Sequence, residues 1–309
     1  MLTNSSLPLE ERYVNPYTDF GFKKLFGTDM NKDLLISFLN ALFVGEQHIC
    51  DLTYLNNEHL GAYSGERKAI FDVYCENDRG EKFIVEMQNV YQQFFKDRSV
   101  FYSTFPIREQ AERGEWDFKL TAVYTVAILN FVFDEDRESP ECYHHKVMLM
   151  DVDRKRVFYD KLTYIYLEMP KFMKTEDELV SMYDKWMFVI KNLSRLLERP
   201  AALQERIFEH MFQAAEIARF TPQEISEYED SMKAYRDINN AIVTARNVAA
   251  EEGFEKGHKE GLEEGHKVGL EEGKRRQNIE TARKLKSAGY PVEGIISITG
   301  LSDMEISEL

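Results

Sequence analysis

The chain has 309 residues, 43% of them hydrophobic and 13% aromatic, which excludes intrinsic disorder and allows a sizeable core in one large or two smaller domains. A formal net charge of −15 excludes a generally basic nucleic-acid coat and counts against nucleic acid as a partner, so a phosphate-bearing substrate needs a local basic patch or bound metal. Cys50, Cys75 and Cys142 are odd in number and show no CxxC spacing, which excludes a disulfide framework and a cysteine zinc site.

The seven histidines form no HExxH pair, and His144 and His145, neighbours on a predicted strand, point to opposite faces. The N-terminus carries neither a basic start nor an apolar run, and the longest nearly apolar stretch, 121–133, is too short to span a bilayer. A cytoplasmic protein without a signal peptide or membrane segment is expected.

In chain order, residues 1–14 read as a loosely held leader, and Asn15-Pro16-Tyr17-Thr18-Asp19 as a turn ending in a helix cap. Phe20, Lys23, Lys24, Leu25 and Phe26 follow with helical spacing. A second helix over 32–43 gathers Leu34, Leu35, Phe38, Leu39 and Leu42 on one stripe. A possible edge strand over 51–55 leads into a loop over 56–67.

The segment 68–89 holds two strand-like runs, AIFDVYC and KFIVEMQ, around Asp78-Arg79-Gly80, a three-residue hairpin loop with Gly80 at positive φ. Asn77 then pairs with Glu81, Cys75 with Phe83 and Val73 with Val85, and Asp72 falls opposite Glu86. Alternation puts Phe71, Val73, Cys75, Phe83, Val85 and Met87 on a buried face, and Ile70, Asp72, Tyr74, Ile84, Glu86 and Gln88 on the other. Opposed cross-strand carboxylates repel or share a proton unless a cation lies between them. Mg²⁺ is a cation that one or two carboxylates hold, so Asp72, Glu86 and Gln88 read as a metal site with an attendant amide. The alternative is an exposed sheet face whose acids are solvated.

A helix is predicted over 90–112, carrying Lys96, Arg98 and Arg108, with Arg113 just beyond it. The run 121–133 reads as a strand buried on both sides, reached by a helical crossover and therefore parallel to its neighbour. Two more strands are predicted over 146–151 and 161–168. From Thr175 the chain is helical: Leu179, Met182, Trp186, Val189, Ile190 and Leu193 form one stripe ended by Pro200, a second helix covers 203–220, and Pro222 opens a third. These helices read as packing rather than chemistry.

Gly253, Gly257, Gly261, Gly265, Gly269 and Gly273 recur every fourth residue among Glu, Lys and His. Each helical Gly costs about 1 kcal/mol relative to Ala. A helix here therefore needs a compensating contact, such as close approach of a second backbone in a homo-oligomer. The alternative is a charged, flexible tether. Residues 278–309 read as a small helix-turn-helix-like unit whose last helix, 302–309, has no Lys or Arg and suits a protein contact better than a DNA groove.

Several stretches, DFGFKKLFG over 19–27, LISFLNA over 35–41, FDV over 71–73 and IVEMQ over 84–88, resemble the PD-(D/E)xK nuclease-family transposases, also called recombination-promoting nucleases. Arg98, Tyr102 and Pro170-Lys171-Phe172 add to the likeness, as do the glycine ladder and helical tail. The resemblance implies an α/β (α+β) fold with a restriction-endonuclease-like mixed sheet flanked by helices, and an all-helical C-terminal part. It divides the chain into a leader (1–14), a nuclease-like core (15–172), a helical extension (173–245), the glycine-repeat helix (246–285) and the tail (286–309).

It further implies Mg²⁺-dependent cleavage of DNA, with Mn²⁺ or another divalent ion able to substitute, and Asp72 and Glu86 as metal ligands. Gln88 stands where the superfamily more often has lysine, so more charge stabilisation falls on metal. Asp19 or Lys23 is an accessory candidate, with a helix cap as the plainer role for Asp19, and Lys23, Arg98 and Tyr102 are candidates for the DNA backbone. The expectation is a homo-oligomeric DNA endonuclease linked to recombination or mobile elements. Its rivals are an inactive interaction protein that modulates a related nuclease, and a nuclease acting on RNA or single strands.

Overall fold

The structure, a computed structural model, describes residues 11–59, 69–111 and 116–309. Residues 1–10 of the predicted leader, much of the loop over 56–67, Glu112 and Arg113 lie outside them. The described chain divides into two compact units, one ending at Arg236 and the other Asp237–Leu309.

The first unit begins with a segment that is pinned rather than loose. Val14 is fully buried, its amide donates to the Ala215 carbonyl at 2.9 Å, and Arg12 pairs with Glu216 at 2.9 Å. The helix α1 (Asp19–Phe26) is capped by Thr18, whose hydroxyl accepts from the Gly21 amide at 3.0 Å, so Asp19 is the first helical residue rather than the cap. Gly21 is required there, because a Cβ would overlap the Asn15 carbonyl. Helix α2 (Lys32–Leu42) follows, with Leu34, Leu35, Phe38 and Leu39 buried as its spacing predicts.

The strands are β1 (Leu52–Tyr54), β2 (Glu58–His59), β3 (Ala69–Ile70), β4 (Val73–Asn77) and β5 (Lys82–Gln88), then, after helix α3 (Phe95–Glu109), β6 (Val123–Leu129), β7 (His144–Asp151) and β8 (Arg156–Glu168). Six of them form one mixed sheet in the order β1-β4-β5-β6-β8-β7, while β2 and β3 pair separately. β4 and β5 are antiparallel with Val73 opposite Val85 and Cys75 opposite Phe83, the register predicted, and Gly80 has φ +75°. β6 runs parallel to both β5 and β8.

One sheet face packs Val73, Cys75, Phe83, Val85, Val126, Ile128, Ile165 and Leu167 against α1, α2, α4 (Met182–Asn192) and α5 (Arg206–Ala215). Trp186 and Phe208 lie at the centre of this core, so the helices after Thr175 pack into the same core as the sheet helices. The opposite face carries Tyr74, Ile84, Ala127, Leu129, Tyr164 and Tyr166. α3 lies over part of it, and Ser103 shares a 2.8 Å hydrogen bond with Tyr164.

Phe71 departs from the predicted alternation. The run 69–75 is not one strand: β3 pairs with β2, the Phe71 amide donates to the Asn57 carbonyl, and the chain turns before β4 begins. Phe71 consequently packs with Tyr74 and Tyr102, each with ring centroids 5.3 Å away, on the α3 side. α3 is also shorter than the 90–112 predicted, because residues 90–94 continue out of β5 before the helix starts.

Helix α6 (Pro222–Ser287) opens at Pro222 as its sequence implies; in the first unit it buries Tyr228 and Met232. In the second unit it runs unbroken through the glycine ladder and into the unit predicted over 278–309. There Ala282 packs with Ile295 of α7 (Val292–Thr299) and with Leu301 and Ile306, the last on α8 (Asp303–Ser307). Gly300 closes α7 at φ +66°, and Ser302 with Glu305 forms a capping box for α8. Among the described residues no helix is long and apolar enough to cross a membrane.

Candidate functional site

The break before β4 leaves Asp72 just outside the ladder, beside the C-terminal half of β5. One contact fixes it to β5: the Asp72 carboxylate accepts from the Met87 amide, the residue after Glu86, at 2.8 Å. Asn57 donates to the Asp72 carbonyl at 3.0 Å and holds the turn. Glu86 is 7% exposed, and its Oε1 is buried with no hydrogen-bond partner.

Burial, then the neighbouring Asp72 charge, pushes the Glu86 carboxyl up to about 8, against the pull of Arg98 and Lys23. Burial also raises the Asp72 carboxyl, with Asp19 adding to the rise and the Met87 amide, Lys23 and Arg98 opposing it. Two carboxyls pushed upward in one place are short of positive charge. Their donor atoms are all oxygens, and one of them is an orphan, so the pair suits a hard divalent cation.

The cations nearby are shared with other partners. Lys23 pairs with Asp19 at 2.8 Å, one helical turn apart. Arg98 lies 3.6 Å from Glu86 Oε2, while its two terminal nitrogens donate to Gln92 at 2.6 Å and Gln88 at 2.5 Å. Its guanidinium also lies over the rings of Phe95 and Tyr102. Gln88 is occupied at both ends, since its amide nitrogen donates to the Val90 carbonyl at 2.9 Å. Tyr102 is raised by burial, with Arg98 opposing and the two acids adding.

A cleft of 670 Å³ opens beside Asp72 and is lined by Asp19, Lys23, Lys24 and Asn57, with Glu224, Glu227 and Ser231 from the start of α6. The residues singled out from the sequence thus form one neighbourhood: Asp19, Lys23 and Asp72 share the cleft, while Arg98 links Glu86, Gln88 and Tyr102. Asn57 and the α6 acids were missed. They come from 15 residues before and more than 150 after Asp72, and no local pattern marks them.

A second cluster was also missed. Asp136, His145 and Glu168 bring one possible ligand atom each within 4.8 Å of one another. Alternation does separate His144 from His145, but it leaves His145 free to meet acids from other segments. Glu168 is fully buried: Oε1 accepts from the Phe133 amide at 2.6 Å, and Oε2, which has no hydrogen bond, is paired in charge with the Lys171 ammonium 2.7 Å away. A cation here would have to displace Lys171.

The family model for the PD-(D/E)XK nuclease family transposase matches residues 16–245. The chain belongs to that family, whose members are nucleases and mobile-element proteins that act on DNA and typically use divalent metals. No curated protein and no solved structure matches the chain.

Proposed function

We propose that the protein is a metal-dependent DNA endonuclease that hydrolyses phosphodiester bonds at Asp72 and Glu86. The observation that carries this reading is the orphaned Glu86 Oε1 beside a second carboxyl whose proton affinity is also raised. Asp72 and Glu86 would hold Mg²⁺ or Mn²⁺, which when bound polarises the phosphate and makes water more acidic.

The chain's own residues supply positioning and charge. The Asp72–Met87 hydrogen bond fixes the Asp72 carboxylate beside β5, and burial on β5 fixes that of Glu86, so little ordering cost remains when substrate arrives. Arg98 brings a permanent positive charge within reach of Glu86, compensating for the neutral amide of Gln88 where lysine is more usual. Gln88 positions Arg98 through its 2.5 Å contact. Lys23, on the rim of the Asp72 cleft, contacts the DNA backbone, and Asp19 steers Lys23.

The glycine ladder is read as the contact between two copies, giving two sites for the two strands of a duplex. What supports this is that an added Cβ at any of the six glycines would meet nothing within 4 Å, so the seam is open to a close neighbour. The protein is expected to work in the cytoplasm.

Nicking of supercoiled plasmid in Mg²⁺ tests the chemistry. Wild type is expected to nick, and Asp72→Ala to fall at least a hundredfold, to background. Equal rates in the two proteins remove the proposal.

A further inference from the structure

α3 and the segment before it form a cleft of 510 Å³ that shares Arg98 with the acidic site. That lies within the roughly 300–1,000 Å³ of small-ligand pockets. It is lined by Gln92, Gln93, Phe94, Arg98, Phe101 and Tyr102. Phe94 is 67% exposed and Phe101 44%, so both rings are open to a ligand.

The lining is chemically specific. The two phenyl rings offer flat faces, the Gln93 amide offers a donor and an acceptor, and the guanidinium, held by Gln92 and lying over Tyr102, offers charge. Asp97 also lines the cleft, which makes it hostile to a phosphate but not to a neutral ring. Arg98 belongs to both places: it walls this cleft and reaches to 3.6 Å from Glu86.

We infer that this cleft holds an unpaired nucleobase of the DNA substrate, stacked on Phe94 and Phe101, with the adjoining phosphate directed by Arg98 toward Asp72 and Glu86. A stacked base in a duplex hides both its faces, so the cleft selects single-stranded or locally opened DNA. Stacking is indifferent to base identity, and the Gln93 amide supplies the contact to the base edge. The inference deepens the nuclease reading and rests on it for the identity of the substrate.

The test is equilibrium binding of a fluorescein-labelled single-stranded oligonucleotide and of the same sequence as a blunt duplex, in EDTA so that no cleavage occurs. Wild type is expected to prefer the single strand. Phe94→Leu is expected to weaken single-strand binding by roughly tenfold, Phe94→Trp to retain it, and neither to change duplex binding. Phe94 is largely exposed, and thermal denaturation of each variant checks that the fold is intact.

Equal affinity of wild type for the two DNAs overturns the inference, as does a Phe94→Leu protein that binds single strands like wild type. A fall in sedimentation mass in Phe94→Leu also overturns it, since the aromatic face would then belong to a second copy. Because the readout is metal-free, it stands apart from whether Asp72→Ala abolishes nicking.

Discussion

Glu86 is the residue on which the site turns, and its environment has a measurable consequence in the metal-free protein. Its carboxyl is pushed from an ordinary value of 4.5 up to about 8, mainly by burial and then by Asp72. A carboxyl with a higher pKa folded than unfolded binds its proton more tightly in the native state. The contribution to stability is complete below about 4.5 and is lost as pH rises through about 8. Urea denaturation in EDTA is therefore expected to show stability falling by about a few kcal/mol between pH 5 and pH 8. Glu86→Gln, which keeps the shape without the charge, is expected to flatten that fall and to be more stable than wild type at pH 8. An unchanged pH slope in Glu86→Gln would mean that the carboxyl is not held in its protonated form.

At the scale of elements, the pairing of β4 with β5 was legible because Asp78-Arg79-Gly80 sets the turn and period-two alternation sets the faces. Phe71 was not, because the chain leaves the ladder at a contact with Asn57, which lies across a loop. The helices α2 and α6 announced themselves by an apolar stripe and by Pro222. The length of α3 did not, because residues 90–94 carry aromatic side chains that suit a helix and an extended rim equally well.

The glycine ladder illustrates a different limit. In an α-helix of about 100° per residue, a step of four residues advances the stripe by about 40° each time, so six glycines wind partway around α6. A straight partner would lose the seam, and two such helices must coil right-handed about each other to keep it. Gly261→Ala with Gly265→Ala relieves about 2 kcal/mol of helix cost while adding two methyl groups to the seam. The expected outcome is higher helix content with loss of the dimer in analytical ultracentrifugation. A dimer that survives both substitutions would move the contact elsewhere.

At the scale of the whole molecule, a net charge of −15 means that the protein does not collect DNA by its global field. On the proposed reading the attraction is local, in Lys23, Arg98 and the cation that Asp72 and Glu86 would hold, with aromatic faces adding a contact that does not depend on charge. The mixed sheet with helices on both faces followed from the order of predicted elements, and the α1 and β5 motifs pointed to the family whose model matches residues 16–245. The pair Asp72 and Glu86 was legible because a hairpin register brings them together locally. The cleft wall from α6 and the cluster of Asp136, His145 and Glu168 were not, because only tertiary packing joins segments so distant in the chain.

Mn²⁺ distinguishes these two acidic places as the metal site. Crystals soaked in Mn²⁺ and measured for anomalous scattering are expected to show a peak coordinated by both Asp72 and Glu86, absent in Glu86→Gln. A peak only at Asp136, His145 and Glu168, or no peak at either place, would contradict the account.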